Sequence, residues 1–206
     1  MSKAFVLGLT GPTGSGKSAV AKVFCDMGYK LVDADKIARD IVSVGSPVID
    51  KLAERFGNDI VLPDGNIDRK LLALRAFSSN ENTKALNDIT HPAIVESVRK
   101  NIDDFVEQGF KKIIYDAPLL FESGTDKLCD KVLSVVADKD TRIERLKCRD
   151  NLSCEEINKR ISAQHEDDFY TDKSDFVIKN NSAFDALVDD TKQVYSMIEK
   201  VNDGTF

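Results

Sequence analysis

The segment that most constrains this chain is a glycine-rich loop near its N-terminus, Gly11-Pro12-Thr13-Gly14-Ser15-Gly16-Lys17-Ser18. The loop matches the pattern G-x-x-x-x-G-K-[ST] at every fixed position. A short apolar run at residues 4–9 precedes it, and apolar residues at helical spacing, beginning with Ala19, follow it. A strand, this loop and a helix form the context in which the pattern binds phosphate. The sequence therefore predicts a strand–loop–helix unit that holds a nucleoside triphosphate.

Each residue type in the loop has a chemical reason to be there. Glycines allow successive backbone N–H groups to converge on a phosphate, and the following helix adds the positive end of its dipole. Lys17 would reach the β- and γ-phosphates, and the Ser18 hydroxyl would ligate Mg²⁺. We therefore expect ATP to contact all residues from Gly11 to Ala19, with Mg²⁺ beside Ser18. A glycine-rich turn that only caps a helix is the alternative.

The composition limits the class of protein to which the chain can belong. Its 206 residues fit one α/β domain with small insertions, and a hydrophobic fraction of 42% is enough for a buried core. A formal net charge of −6 argues against a protein that coats nucleic acid. The apolar stretches are strand-sized, below the ~20 residues of a membrane span, and no signal peptide follows Lys3. We expect a cytoplasmic protein that acts on small molecules and binds neither nucleic acid nor membrane.

The four cysteines, Cys25, Cys129, Cys148 and Cys154, show no C-x-x-C pairing. Reduced thiols in a cytosolic protein are therefore the favoured interpretation. A zinc site formed by Cys148, Cys154 and His165 is the alternative.

Strand-like apolar runs alternate with helical patterns along the chain. The runs lie at residues 4–9, 30–32, 112–115, 132–136 and 176–178. This alternation is typical of a parallel sheet that is covered by helices on both faces. We therefore predict an α/β protein with the three-layer P-loop NTPase fold and a parallel five-stranded sheet.

Proline and serine residues predict where several helices begin. Ser46 followed by proline predicts the cap and first position of a helix that ends at Phe56. Pro92 predicts the start of another helix. The last helix follows Ser182, and its predicted buried stripe comprises Phe184, Leu187, Val188, Thr191, Val194, Ile198 and Val201.

Two segments interrupt the alternation of strands and helices. Residues 58–91 are too long for a simple crossover, so we predict a helical substrate-binding insertion of about that extent. Residues 138–168 are rich in charge, and we predict a helical lid there. The core of a single kinase-type domain would then comprise residues 1–57, 92–137 and 169–206.

Carboxylates follow two of the predicted strands. Asp33 and Asp35 come at the end of the second strand, where open α/β sheets bind ligands. An enzyme that phosphorylates an alcohol needs a carboxylate there to accept the hydroxyl proton, and we assign that role to Asp33 and the helix cap to Asp35. Asp116 ends the third strand, where an acid commonly orients water on Mg²⁺. A plain loop aspartate is the alternative for Asp116.

Three arginines lie on one face of the helix that opens the predicted lid: Arg142, Arg145 and Arg149. Like charges at this spacing repel, so an anionic group should face them, either protein carboxylates or phosphates. After a break at residues 150–151, Ser153 and Glu156 form a capping-box signature for a second helix, which carries Arg160 and Gln164. This pattern favours a lid that closes over the phosphates, and a solvated charged hairpin is the alternative.

Short motifs through nearly the whole chain resemble the dephospho-coenzyme A kinase family. They are "LTGPTGSGKS", "VDADKIARDIV", "IDRKLLALRAF", "THPAI", "PLLFE", "ERLKCRD", "RISAQ" and "DFVIKNN", in the family's order. The resemblance implies a P-loop kinase fold and ATP-dependent phosphorylation of the ribose 3′-hydroxyl of dephospho-coenzyme A. It also implies roles for particular residues. Asp33 would be the base, Lys17 and Ser18 would serve the phosphates and Mg²⁺, and Arg145 and Arg149 would act from the lid.

The resemblance further implies contacts with both substrates. Asn180 would lie near the nucleotide base, and the acceptor side would include Arg69, His91, Leu119 and Glu122.

Other functions compatible with the glycine loop fit the sequence less well. A nucleoside or nucleotide kinase of the same fold is the main alternative, although an acceptor phosphate would need no general base such as Asp33. A GTP-dependent switch would carry an N/T-K-x-D motif, and neither Asp138-Lys139-Asp140 nor Asp172-Lys173-Ser174-Asp175 matches it. A tRNA prenyl transferase would need a nucleic-acid channel, which an acidic chain of this size fits poorly.

Overall fold

The sheet in the described residues has five strands, as predicted. The computed structural model describes residues 4–150 and 153–202. Its strands are β1 (Phe5–Thr10), β2 (Lys30–Asp33), β3 (Lys112–Asp116), β4 (Lys131–Val136) and β5 (Phe176–Lys179), in the spatial order β2-β3-β1-β4-β5. The pairs β1–β3, β1–β4 and β4–β5 are parallel. Parallel neighbours require crossover connections, and helices supply them here.

In the described residues, helices lie between successive strands and after the last strand. They are α1 (Lys17–Asp26), α2 (Ala34–Asp40), α3 (Pro47–Phe56), α4 (Arg69–Ala76), α5 (Asn80–Glu107), α6 (Lys139–Asp150), α7 (Cys154–Ser162), α8 (Asp167–Thr171) and α9 (Phe184–Asn202). Short 3₁₀ helices lie at Asn58–Ile60 and Thr125–Leu128. No helix among the described residues is long and apolar enough to cross a membrane.

Two compact units divide the chain. The first comprises residues 1–32 and 104–206, and it holds most of the sheet. Leu7 and Leu9 of β1 pack with Val20 and Phe24 of α1 in one buried cluster, to which α9 adds Leu187. On the opposite face, Ser134 of β4 donates a hydrogen bond to the carbonyl oxygen of Tyr170 in α8. Helices therefore cover both faces of the sheet, which confirms the predicted three-layer architecture.

The register of the strands aligns their carboxyl ends at one edge of the sheet. Leu9 of β1 pairs with Asp116 of β3, and Thr10 pairs with Ser134 of β4. Val136 of β4 pairs with Lys179 of β5. The residues that directly follow β1, β3, β4 and β5 therefore lie at the same edge, which is where ligands bind in folds of this kind.

The second unit comprises Asp33–Asp103 and is helical. Its buried cluster is Val48, Ile49, Leu52, Phe56, Ile60, Ile67 and Ala76. Ser46 caps α3 through a hydrogen bond that its hydroxyl accepts from Val48 N, as predicted. The insertion predicted at residues 58–91 lies within this unit, which extends beyond it on both sides.

Two helix predictions are wrong in detail. Pro92 does not open a helix but lies inside α5, which begins at Asn80. A proline removes one backbone hydrogen bond, but the apolar face of α5 packs against the second unit's core on both sides of it, through Ile89 and Ala93, and this packing outweighs the loss. In α9, Phe184 and Val201 are exposed rather than buried, because they lie at the two ends of the helix, beyond its covered middle.

The core of the second unit can be tested with a matched pair of leucines. Leu52 is fully buried, whereas Leu74 is 72% exposed. We expect Leu52→Ala to lower the free energy of unfolding by about 2 to 5 kcal/mol, because it removes transfer energy and leaves a cavity. Leu74→Ala should change it by less than about 0.5 kcal/mol. Urea denaturation followed by circular dichroism measures both, and equal effects would contradict this core.

Candidate active site

The glycine loop turns sharply between β1 and α1, and two of its glycines have no substitute. Gly11 has φ of 135°, and a Cβ atom there would lie 2.0 Å from the carbonyl oxygen of Val135. Gly16 has φ of 103°, and a Cβ atom there would lie 2.3 Å from Nδ2 of Asn180. L-residues rarely adopt such angles. The backbone of the loop can therefore approach its neighbours only with glycine at these positions.

The N-terminus of α1 has no side-chain cap. Gly16 precedes the helix without a side chain that could cap it, and Ala19 N donates to the carbonyl oxygen of Gly16 at 3.0 Å. Lys17 and Ser18 occupy this first turn, and Ser18 is exposed. Ala19, by contrast, packs partly buried against the core. An uncapped helix start behind a glycine loop fits a bound phosphate.

The side chains of Lys17 and Ser15 both lie within the loop. Lys17 crosses the loop, and its Nζ donates a hydrogen bond of 3.0 Å to the carbonyl oxygen of Gly11. Ser15 is fully buried, and its Oγ has no hydrogen-bond partner among the described residues. The backbone of the loop is tightened by a 3.3 Å hydrogen bond from Ser15 N to the carbonyl oxygen of Pro12. An orphaned hydroxyl and an uncapped helix are both compatible with a polar ligand in the loop.

Asn180 binds the backbone of the loop at Ser15, and Arg145 binds Asn180. Asn180 follows β5, is 4% exposed, and donates from Nδ2 to the carbonyl oxygen of Ser15 at 2.7 Å. Arg145 of α6 donates to the carbonyl oxygen of Asn180 at 3.0 Å and to its Oδ1 at 3.1 Å. Both polar groups of the Asn180 side chain are therefore bonded within the protein. The contact of Asn180 with the nucleotide base stays a prediction.

Arg142 and Gln164 bind the loop at Thr13. The sequence placed both on predicted lid helices but gave neither a specific contact, and the prediction that the second helix carries Gln164 is wrong, because α7 ends at Ser162. Arg142 is 5% exposed and donates from Nε to the carbonyl oxygen of Thr13 at 2.9 Å. Gln164 Oε1 accepts from Thr13 N and from Nη2 of Arg142, each at 3.0 Å. Burial lowers the pKa of Arg142, and the carboxylate of Asp167 lies 3.9 Å away. The signals in the sequence were the position of Arg142 on the arginine face of α6 and that of Gln164 in the predicted lid.

Arg149 faces a carboxylate of the protein. Its Nε and Nη2 donate to the two oxygens of Asp150 at 2.6 and 2.9 Å, and Arg160 donates to the same carboxylate at 2.8 Å. The hydrogen bonds from Arg149 lower the pKa of Asp150. Residue 151, where we predicted a break, lies outside the described residues, whereas the predicted capping box of Ser153 and Glu156 is present.

The loop after β3 brings further predicted residues to the same edge of the sheet. Asp116 is the last residue of β3 and pairs in register with Leu9, next to the glycine loop. Leu119 is 60% exposed. The side chain of Glu122 is 24% exposed, and its Oε1 lies 3.8 Å from Nε2 of His165. The roles of Asp116, Leu119 and Glu122 stay predictions.

In the second unit, the roles assigned to the two aspartates need correction. Asp33, the last residue of β2, caps α2, because its Oδ1 accepts from Lys36 N at 3.0 Å. The assignment of the cap to Asp35 is wrong, since Asp35 lies inside the first turn and is exposed. The N-cap position is the residue before the helix, from which a short side chain reaches the third N–H. The cap bond uses one oxygen of Asp33, and a carboxylate has about four acceptor sites.

Two residues expected to contact the acceptor also belong to this unit. Arg69 begins α4, is exposed, and donates from Nη2 to the carbonyl oxygen of Arg39 at 3.3 Å. His91 is half-buried on α5, beside Pro92. Their contacts with an acceptor stay predictions.

The described residues contain no group of three or more His, Cys, Asp or Glu side chains that could hold a metal ion. Cys148, Cys154 and His165 are therefore not brought together as a zinc site. All four cysteines are free thiols, and burial raises the pKa of Cys129 to about 12.

Comparisons with known sequences identify the family of this chain. The model of the dephospho-CoA kinase family matches residues 5–186. A dephospho-CoA kinase of Corynebacterium glutamicum is 42% identical over 197 residues, which are 95% of this chain and 98% of that protein.

Solved structures give the same result. A protein from Thermus thermophilus superposes with a TM-score of 0.78 at 28% identity, over 95% of this chain and 98% of its own. The dephospho-CoA kinase from Campylobacter jejuni superposes with a TM-score of 0.64 at 25% identity, over 96% of this chain and 98% of its own. These matches confirm both the fold and the resemblance seen in the motifs. The chain belongs to the dephospho-CoA kinase family.

Proposed function

We propose that this chain transfers the γ-phosphoryl group of ATP to the ribose 3′-hydroxyl of dephospho-coenzyme A, which gives coenzyme A. The observation that carries the proposal is the uncapped start of α1 behind a loop whose Gly11 and Gly16 leave no space for a Cβ atom. Such a loop is built to receive a phosphate chain. Family membership supports the choice of acceptor.

The donor side of the reaction is assigned to the first unit. ATP would bind along residues 11–19 through backbone N–H groups, apart from Pro12, which has none, and Thr13, whose N–H donates to Gln164 Oε1. Lys17 would move from the carbonyl oxygen of Gly11 to the β- and γ-phosphates. Mg²⁺, held by Ser18 with Asp116 orienting its water, would neutralise charge on the triphosphate. Arg145 and Arg149 would exchange protein oxygens for phosphate oxygens as negative charge develops there.

The acceptor side is assigned to Asp33, which accepts the proton of the 3′-hydroxyl and directs its oxygen toward the γ-phosphorus. Arg69, His91, Leu119 and Glu122 are proposed to hold the rest of the acceptor. Positioning and electrostatic stabilisation would supply most of the rate acceleration, because phosphoryl transfer requires little covalent chemistry from the protein.

A cytoplasmic location is part of the proposal. Both substrates are phosphorylated small molecules, and the four cysteines are free, as is usual for cytosolic proteins. The net charge of −6 supports a small-molecule acceptor rather than nucleic acid.

The role of Asp33 can be tested without disturbing the helix that it caps. Asparagine is as good an N-cap as aspartate, so Asp33→Asn should leave the melting temperature unchanged. We expect kcat to fall by about 10²- to 10⁴-fold, the usual contribution of a general base, while ATP affinity stays within a few-fold. Asp35→Asn, on the same helix, is the matched control and should retain its turnover. Equal turnover of Asp33→Asn and wild type would assign the base to another residue.

The phosphate contact of Lys17 can be tested by calorimetry. We expect Lys17→Ala to weaken Mg·ATP binding by about tenfold or more, which corresponds to a loss of about 1.4 kcal/mol. Lys22→Ala is the matched control, because Lys22 is an exposed cation on the same helix whose ion pair with Asp26 at 2.8 Å contributes little. A Lys17→Ala variant with normal ATP affinity and turnover would refute the assignment of the loop.

The acceptor can be identified by ATP consumption with a panel of alcohols. We expect kcat/KM for dephospho-coenzyme A to exceed that for adenosine or AMP by about tenfold or more, or about 1.4 kcal/mol of differential binding. Binding energy from the remote part of the larger acceptor would account for the difference. Turnover of adenosine with none of dephospho-coenzyme A would instead indicate a nucleoside kinase of the same fold.

A further inference from the structure

We propose that Arg142 and Gln164 are positioning residues that hold the phosphate-binding loop in its binding conformation before the nucleotide arrives. The proposal rests on the proposed function, because it assumes that the loop at residues 11–18 binds the triphosphate. It adds two residues and a physical role that neither the motif nor the arginine pattern assigned to them.

The two side chains together bind both peptide groups that flank the α-carbon of Thr13. Gln164 Oε1 accepts a hydrogen bond from Thr13 N at 3.0 Å, and Arg142 Nε donates one to Thr13 O at 2.9 Å. The bond from Arg142 Nη2 to the same Gln164 oxygen, at 3.0 Å, closes the arrangement. Because the N–H and the carbonyl of Thr13 are both held, rotation about φ and ψ of this residue is restricted.

The backbone of α6 reinforces this contact from the next residue of the loop. A Cβ atom on Gly14 would lie 3.0 Å from the carbonyl oxygen of Arg142 and 3.2 Å from its Cα. The helix that carries Arg142 therefore packs directly against the loop. Gly14 thus lies against the backbone of Arg142, and Thr13 is hydrogen-bonded to the side chain of the same residue.

The burial of Arg142 indicates that its contacts are specific. Only 5% of the residue is exposed, although arginine is almost never buried unless it is paired. The partners that compensate for the loss of water are Thr13 O, Gln164 Oε1 and the Asp167 carboxylate at 3.9 Å. A solvated charged surface would not need such partners.

Restriction of Thr13 should favour binding because it removes freedom that the loop would otherwise lose on binding. A loop that already has its binding conformation binds more tightly than one that must order itself. The effect should be confined to ligands that contact the loop through phosphate. It should not change the affinity for the acceptor.

The test uses Arg142→Met and Gln164→Met, which keep an unbranched side chain and remove the hydrogen bonds. The matched control is Lys147→Met, which removes an exposed cation from the same helix. Calorimetry gives the Kd of ATP and of inorganic tripolyphosphate, and steady-state kinetics gives the KM of dephospho-coenzyme A. We expect both Kd values to rise about 5- to 30-fold in each loop variant. The acceptor KM, kcat at saturating ATP and all values for Lys147→Met should stay within about twofold of wild type.

Two further variants distinguish the proposal from its alternatives. Because the two residues share one contact, the double variant should be little weaker than either single variant. If Arg142→Met does not fold, Arg142→Lys keeps the charge but cannot donate to both oxygens in the same fork geometry, and it should show an intermediate Kd. Unchanged Kd values, or equal weakening of ATP and acceptor, would overturn the proposal. A wild-type protein that binds neither ATP nor tripolyphosphate would instead refute the proposed function.

Discussion

The close approach of the loop backbone to the end of β4 is the constraint on which the rest of the site depends. A Cβ atom at Gly11 would lie 2.0 Å from the carbonyl oxygen of Val135, well inside van der Waals contact. Because residue 11 has no side chain, the chain can leave β1, pass over the end of its neighbour and start α1 at Lys17. This close approach lets α1, with the positive end of its dipole, begin directly behind the loop.

The loop is then held by polar side chains on its outer side. Asn180 binds the carbonyl oxygen of Ser15, and Arg142 binds that of Thr13. The donors of Asn180 and Arg142 bind carbonyl oxygens of the loop. The N–H groups at the uncapped start of α1 are donors that suit a phosphate. The same residues therefore stabilise the loop and leave its anion-binding groups available. This division explains why a buried arginine lies beside a site proposed to bind an anion.

The sequence was sufficient for features with a strong local signal. Apolar runs identified all five strands to within two residues. The signal is strongest for β1 and β4, which are buried along nearly their whole length, because a strand buried on both faces is apolar throughout. The glycine pattern predicted the loop for a similar reason, since its backbone angles exclude other residues. Tertiary packing decided the features that were missed. Pro92 is tolerated inside α5 because contacts on both sides of it hold the helix, and Arg149 binds Asp150, a neighbour that helical spacing did not indicate as its partner. The burial of Arg142 depends on Gln164, which is 22 residues away along the chain.

Asp33 caps α2, and this structural role is compatible with the role of base that we propose for it. Sequence reasoning divided the two roles between Asp33 and Asp35, as if a cap and a base excluded each other. An N-cap bond uses a single oxygen lone pair, and the carboxylate of Asp33 makes that bond to Lys36 N. The bond restricts the carboxylate without needing another side chain, so the orientation of the remaining acceptor sites comes from the backbone of α2. The base that we propose at this junction of strand and helix would thus be positioned by the same interaction that begins the helix.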